Sequence, residues 1–412
     1  MSVPKLRFPG FTGEWEEKPL SFAIASLDAG VSVNSGEGLA SDGESGVLKT
    51  SCVTLGVFDP TENKIVDQVS ELKRLKEQVK AGTIIISRMN TPALVGANAY
   101  VSKNSPNLFL PDRLWAAKIK QTASSRWIAL LLGHSGTRRA LSDRATGTSG
   151  SMKNLTKSDV LTLPIFLPIL HEQQKIAAFL GAVDAKLAAL ASRQVALGRF
   201  KAGLMQKLFS QQLRFTRDDG QAFPDWVEKR LGELGSFKSG VGFSEVEQGG
   251  MDGIPLYKVS DMNLAGNEHR MVRANNYVTL DQIERLKYRP ICPPSLIFAK
   301  VGAAIFLERK RRAENFLLDN NMMAFTPNAS ISIEFSVYLF SITRLSKFAQ
   351  VGALPSFNAG DVAALKVSVP RPDEQQKIAN ALSAMDAKIQ AVADQVTRLQ
   401  TYKKGLLQQM FV

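Results

Sequence analysis

The chain has 412 residues, which at roughly 100 to 200 residues per domain gives room for two to four domains, each with its own core. Hydrophobic residues at 44% and charged residues at 22%, with 22 Phe and 4 Trp, exclude a disordered, collagenous or disulfide-stapled chain. A net charge of +13 points to a polyanionic partner such as nucleic acid, the plainer alternative being a basic protein with scattered surface lysines.

Cys52 and Cys292 are too far apart for a Cys-x-x-Cys pair, and so few cysteines suit a reducing, cytoplasmic home. The longest apolar runs, Trp127 to Leu132 and Leu163 to Leu170, fall short of the ~18 to 20 residues that cross a bilayer. Residues 1–20 carry Lys5, Arg7, Glu14, Glu16 and Glu17 without the apolar stretch of a secretory signal.

In chain order, LRF at 6–8 returns at 213–215, and Trp15-x-Glu17-Lys18-x-Leu20 returns as Trp226-x-Glu228-Lys229-x-Leu231. Gly- and Ser-rich stretches at 30–46 and 235–253 read as surface loops. GTIIIS at 82–87 and PSLIFA at 294–299 read as buried strands, each followed by a base, Arg88 and Lys300. Trp127 to Leu132 and Ser336 to Thr343 read as short helices late in each domain. The segment from Gly150 to Pro168 matches that from Gly352 to Pro370 at Gly, Asp-Val, Leu and Pro.

The strongest signal is an internal repeat. Residues 172–209 and 374–411 align without a gap at an offset of 202, with 19 of 38 positions identical. Ile176, Leu180, Val183, Leu187, Leu190, Gln194, Leu197, Lys201, Leu204 and Leu208 step by four and three, a heptad seam. Ile378, Leu382, Met385, Ile389, Val392, Val396, Leu399, Lys403, Leu406 and Met410 keep the same register. Pro164, Pro168, Pro370 and Pro372 mark where extended chain gives way to helix. Each helix of 38 residues would be ~57 Å long. The second variable domain starts so soon after the first helix that antiparallel pairing is expected, with the domains at opposite ends of a two-helix rod. The expected fold is α+β: two mixed α/β variable domains, 1–168 and 211–370, separated by two long antiparallel coiled-coil helices, 169–210 and 371–412, in a pseudo-two-fold tandem repeat. The outward residues Phe179, Phe200, Tyr402 and Phe411 should be covered by a partner.

Catalytic signatures are missing. His134, His171 and His269 are widely separated, no Gly-Lys dipeptide marks a phosphate loop, and Gly240-Val241-Gly242 reads as a turn. No Asn-Pro-Pro-aromatic or Asp-Pro-Pro-aromatic methyltransferase motif is present. Glu62-x-Lys64 with Asp42 has a spacing similar to that of metal nucleases, but reads more simply as a solvated loop. No metal or catalytic residue is assigned. Basic residues gather at Arg138, Arg139, Arg144, Lys153 and Lys157, and again at Arg309, Lys310, Arg311 and Arg312. Guanidinium groups suit both phosphates and guanine edges, so these are candidate DNA contacts, a solvated charge run being the alternative.

Two divergent domains, repeated helices that each open on EQQKIA after a proline, and a start reading PKLRFPGFTGEW together resemble the specificity subunit of a bacterial type I restriction-modification system. The resemblance covers the whole chain and implies that each variable domain reads one half of a split duplex DNA site. It also implies that the helices act as a ruler docking two methyltransferase subunits. The chain itself would bind no cofactor; S-adenosylmethionine, ATP and Mg would belong to the modification and restriction/translocase subunits. Lys49 and Ser51 align with Lys258 and Ser260, and Arg88 with Lys300. Positions kept in both halves are expected to hold the DNA backbone or the frame, whereas Arg138, Arg139, Arg309 and Arg311 are candidates to read bases and Lys153 is a further candidate DNA contact. A type IIB-like specificity subunit, a coiled-coil adaptor that binds no DNA and a cryptic nuclease are the alternatives.

Overall fold

The computed structural model describes residues 3–149, 151–350 and 354–412; Gly150 and Gly352, which open the matches before the helices, lie outside the described residues. The chain forms two units, Met1–Arg193 with Val392–Val412, and Gln194–Ala391. Each unit contains one variable domain, the early turns of one long helix and late turns of the other.

The long helices are Leu170–Phe209 and Pro372–Met410. Pro372 opens the second helix, where its missing N–H leaves nothing unpaired. None of the seam positions is exposed in either helix. In the first unit Ile176, Leu180 and Val183 share a core with Leu406 and Met410, and Leu187 and Leu399 lie partly buried against it. In the second, Ile378 and Leu382 share a core with Leu208, with Leu204 beside them. Within either unit, early turns of one helix therefore meet late turns of the other, the antiparallel pairing. Leu190, Met385 and Val392 are buried and Ile389 is half-buried. The seam lysines bury their stems and find carboxylates: Lys403 reaches Asp184 at 2.5 Å in the first unit, and Lys201 reaches Asp386 at 2.5 Å in the second.

Each variable domain is built on a four-stranded antiparallel sheet. In the first the order is Ile24–Ala29, Leu114–Ile119, Ile84–Ser87, Asn98–Tyr100. In the second it is Gly235–Ser239, Met322–Pro327, Ser295–Ala299, Lys310–Ala313. The continuous apolar runs of Ile84–Ser87 and Ser295–Ala299 are explained by cover on both faces. Ile84 and Ile86 face the core shared with the long helices while Ile85 faces another; Leu296 and Phe298 are likewise opposed to Ile297. A second sheet carries a parallel pair in each unit, Gly46–Leu48 with Ser105–Phe109 and Ile254–Tyr257 with Leu317–Leu318. Two-stranded ribbons, Glu16–Pro19 with Pro164–Leu167 and Val227–Arg230 with Lys366–Val369, join the beginning of each domain to its end.

The short helices span Ser125–Gly133 and Ile333–Ile342, with Thr343 as cap. Residues 30–45 carry no helix or strand, whereas the expected loop at 235–253 begins as the strand Gly235–Ser239. Its glycines are set by close backbone approach: a Cβ on Gly235 would stand 2.4 Å from the Thr326 carbonyl oxygen, and one on Gly240 2.0 Å from that of Asp319. Among the described residues no helix is long and apolar enough to cross a membrane.

Candidate nucleic-acid interface

The letters repeated between the halves meet one another in space. Arg7 of the first LRF donates from Nε and Nη2 to both carboxylate oxygens of Glu172 at 2.7 and 2.8 Å. Arg214 of the second LRF does the same to Glu374 at 3.1 and 2.9 Å. Gln173 accepts the Ser124 N–H at 2.9 Å and donates to the Pro168 carbonyl at 2.8 Å; Gln375 accepts the Ser332 N–H and donates to the Pro370 carbonyl, both at 3.0 Å. Ser124 and Ser332 are the N-caps of the two short helices. Lys175 lies over the rings of Phe8 and Phe11, and Lys377 over Phe223. The Leu6 N–H donates to the Gln409 carbonyl as the Leu213 N–H donates to that of Lys207. Aromatic trios complete the attachment: Trp127 lies between Trp15 and Phe411, and Trp226 meets both Phe335 and Phe209 edge-on while those two rings lie tilted against each other. The sequence shows these letters as repeats but not as partners; the signal for the pairing is the co-repetition of LRF with EQQ.

These contacts correct one expectation. Phe179 is not left for a partner but meets Phe8 edge-on, and Phe411 is buried on Trp127. Phe200 and Tyr402, at equivalent positions of the two helices, do remain exposed at 62% and 55%.

In the first unit, the segments that carry Arg88, Lys153 and Arg138 are joined. Arg88 follows the strand Ile84–Ser87, lies 5.3 Å from the Trp115 ring centroid and donates to Asn154 Oδ1 at 3.3 Å. Lys153 donates to the Ser142 carbonyl at 2.9 Å, and Arg138 to that of Ala93 at 3.1 Å. Burial lowers the pKa of Arg138, and its Nη1 is buried without a partner, so this guanidinium belongs to the domain's packing. Arg139, next to it on the helix Ser135–Arg144, is exposed. Lys49 and Ser51 lie at the turn Thr50–Val53, which shares a core with Ile85; there Glu62 takes the Lys49 ammonium at 3.7 Å and the Ser51 hydroxyl at 2.5 Å. Glu62, the acid in the nuclease-like spacing, is thereby engaged, and Asp42 is exposed.

In the second unit, Arg309 donates to Asn263 Oδ1 and Arg311 to the Asn267 carbonyl at 2.8 Å, which brings the basic run to the turn opened by Lys258. Lys258 donates to Gln248 Oε1 at 2.6 Å, and Ser260 is exposed. Lys310 pairs with Glu308 and Arg312 with Glu334, so the run is largely spent on the protein itself. Burial, with the like charge of Arg309, lowers the pKa of Arg311. Lys300 is half-buried, and no side-chain hydrogen bond holds it among the described residues. Its backbone repeats that of Arg88: the Arg88 carbonyl accepts from Leu155 N–H and the Lys300 carbonyl from Phe357 N–H, two donors again 202 apart.

Among the described residues no group of three His, Cys, Asp or Glu is placed to hold a metal ion. The Cys52 thiol, buried and near Asp59 and Glu62, is pushed up to about 12 and is no nucleophile.

The sequence pattern described as the type I restriction modification DNA specificity domain matches residues 58–196 and 224–399. The type I restriction enzyme EcoEI specificity subunit of Escherichia coli is 29% identical over 164 residues, 39% of this chain and 27% of that protein. The chain thus spans about a quarter of the length of that curated relative. The crystal structure of a type I restriction-modification S subunit from M. genitalium superposes with a TM-score of 0.60 at 17% identity, covering 100% of this chain and 99% of that one. A second structure, from work on complex assembly and conformational transition of the type I system, gives 0.59 at 14% identity over 98% of both chains. The two matched segments cover most of the chain and fall one on each half of the repeat, and the protein belongs to the family of type I restriction-modification DNA specificity subunits.

Proposed function

We propose that this chain reads an interrupted, asymmetric site in duplex DNA, one half through each recognition domain, and works in the cytoplasm as the non-catalytic subunit of a methylating and cleaving complex. The observation that carries this reading is one sheet architecture built twice on repeated helices, with the basic side chains around it arranged differently in the two copies. Arg88 and Lys300, equivalent in backbone, suit phosphate contacts that carry no sequence information; Lys153, Arg139 and the groups near Lys258 and Ser260 suit what differs between half-sites. Two methyltransferase subunits would dock on the equivalent exposed positions Phe200 and Tyr402, an arrangement in which like surfaces bind like partners. S-adenosylmethionine, ATP and Mg would be held by those subunits and by the restriction/translocase subunits.

Replacing residues 21–149 with the corresponding domain of a relative tests the reading. Methylated adenines mapped in cells carrying the chimera and its methyltransferase should change in one half-site only. A change in both halves, or in neither, refutes it.

A further inference from the structure

We infer that Glu172 and Gln173 with Arg7, and Glu374 and Gln375 with Arg214, are positioning residues that set the angle of each recognition domain on its helix, and through it the number of unread base pairs tolerated between half-sites. The inference rests on the proposed reading of a bipartite DNA site.

Glu172 and Glu374 have no exposed surface at all, and Gln173 and Gln375 have 1% and none. A buried carboxylate is retained only where a guanidinium and further hydrogen bonds satisfy it, and Glu172 and Glu374 lie in first turns, where the helix dipole also favours a negative charge. Bidentate guanidinium–carboxylate pairs are directional as well as strong. Arg7 also donates from Nη1 to the Gly13 carbonyl at 2.5 Å, and Arg214 from Nη2 to the Pro224 carbonyl at 2.6 Å. Each arginine therefore grips both its helix and the strap that leads into the domain at Trp15 or Trp226. Gln173 adds a second point, tying Pro168, two residues before the long helix, to the N-cap of Ser125–Gly133; Gln375 does so from Pro370 for Ile333–Ile342 and also donates to the Ser330 carbonyl at 3.0 Å.

Two directional points define an angle, where the apolar contacts beside them would tolerate sliding. The lever is long: a hinge of roughly 10° moves a point roughly 30 Å away by about 5 Å, more than the ~3.4 Å rise of one base pair. Glu172, Gln173, Glu374 and Gln375 are buried, and the guanidinium groups of Arg7 and Arg214 are taken up by protein acceptors, so these residues act on the frame and not on bases.

The test uses the full chain in complex with its methyltransferase. Once methylated-adenine mapping has given the native site, duplexes with unchanged half-sites and gaps stepped one base pair at a time compete for binding. Gln173→Met and Gln375→Met keep side-chain length while removing the hydrogen bonds, and Glu172→Gln removes the charge. Each should lower the preference for the native gap over its neighbours at least threefold. Discrimination against single mismatches within a half-site should stay within twofold of wild type. If Glu172→Gln fails to fold, the two Met variants decide. Folded Met variants that keep the wild-type gap profile, or that lose gap and mismatch discrimination in step, overturn the inference. A wild-type complex with no preferred gap overturns instead the functional reading beneath it.

Discussion

The four-stranded sheets of the two units share strand order and sense, but their charged neighbours differ. In the first, Lys153 lies on the strand Met152–Asn154, whose Asn154 accepts from Arg88, and it bonds the helix Ser135–Arg144 that carries Arg138 and Arg139. In the second, the bases sit on the edge strand Lys310–Ala313, whose counterpart in the first, Asn98–Tyr100, carries none. Where the halves agree, by contrast, the shared residues are mostly buried and bind each other: Arg7 with Glu172, Arg214 with Glu374, Trp15 with Trp127, Trp226 with Phe335. Repetition in this chain therefore marks the joints, and divergence falls on the charged surfaces. The reason is that a joint has one geometric solution, while a surface is free of that constraint.

The comparison breaks most readily at the aromatic trios. Phe411→Ala should destabilise the first unit by about 3–5 kcal/mol, as large-to-small core changes do. Phe209→Ala, at a half-buried position, should destabilise the second by less. Hydrogen exchange resolved by segment would show which unit loosens. Protection lost from the same unit in both variants would contradict the correspondence.

A smaller effect separates frame from surface among neighbouring bases. Arg138→Ala should cost about 1–2 kcal/mol of stability, because it removes a buried guanidinium and its bond to Ala93. Arg139→Ala should leave the melting temperature unchanged, weaken DNA binding and relax discrimination at one position of its half-site by about 1–3 kcal/mol. Thermal melts and binding titrations on matched and mismatched duplexes distinguish the two, and reversed outcomes would mean that Arg138 is the group reaching DNA.

The smallest effect is a pH asymmetry. His134 is stacked on Phe411, and burial lowers its pKa from 6.5. The unfolded chain therefore takes up a proton that the folded first unit resists. The stability contributed by neutral His134 is complete above about pH 6.5 and is lost as pH falls toward the depressed folded value. In the second unit the short helix ends on Thr343, with no such group. Between pH 7.5 and 5.5 the first unit should lose protection from hydrogen exchange relative to the second, and His134→Gln should flatten that difference. An unchanged pH profile in the variant would remove His134 as the cause.

Much of this architecture is legible in one dimension because its determinants are local or repeated. The heptad seams need only their spacing, the buried strands only their apolar runs, and the tandem plan only the offset of 202. Those features depend on near neighbours or on the second copy, so a pattern reveals them. Tertiary structure alone decided which charges are spent. Arg311 and Lys310 look like free cations in sequence and are bound to Asn267 and Glu308, while Phe179 and Phe411 look like an outer face and are covered by Phe8 and Trp127. Tertiary structure also revealed that Gly235 and Gly240 mark strand approach in place of loop. In each case the partner lies far along the chain, and whether a charge or a ring meets water or protein depends on which distant segment folding brings beside it.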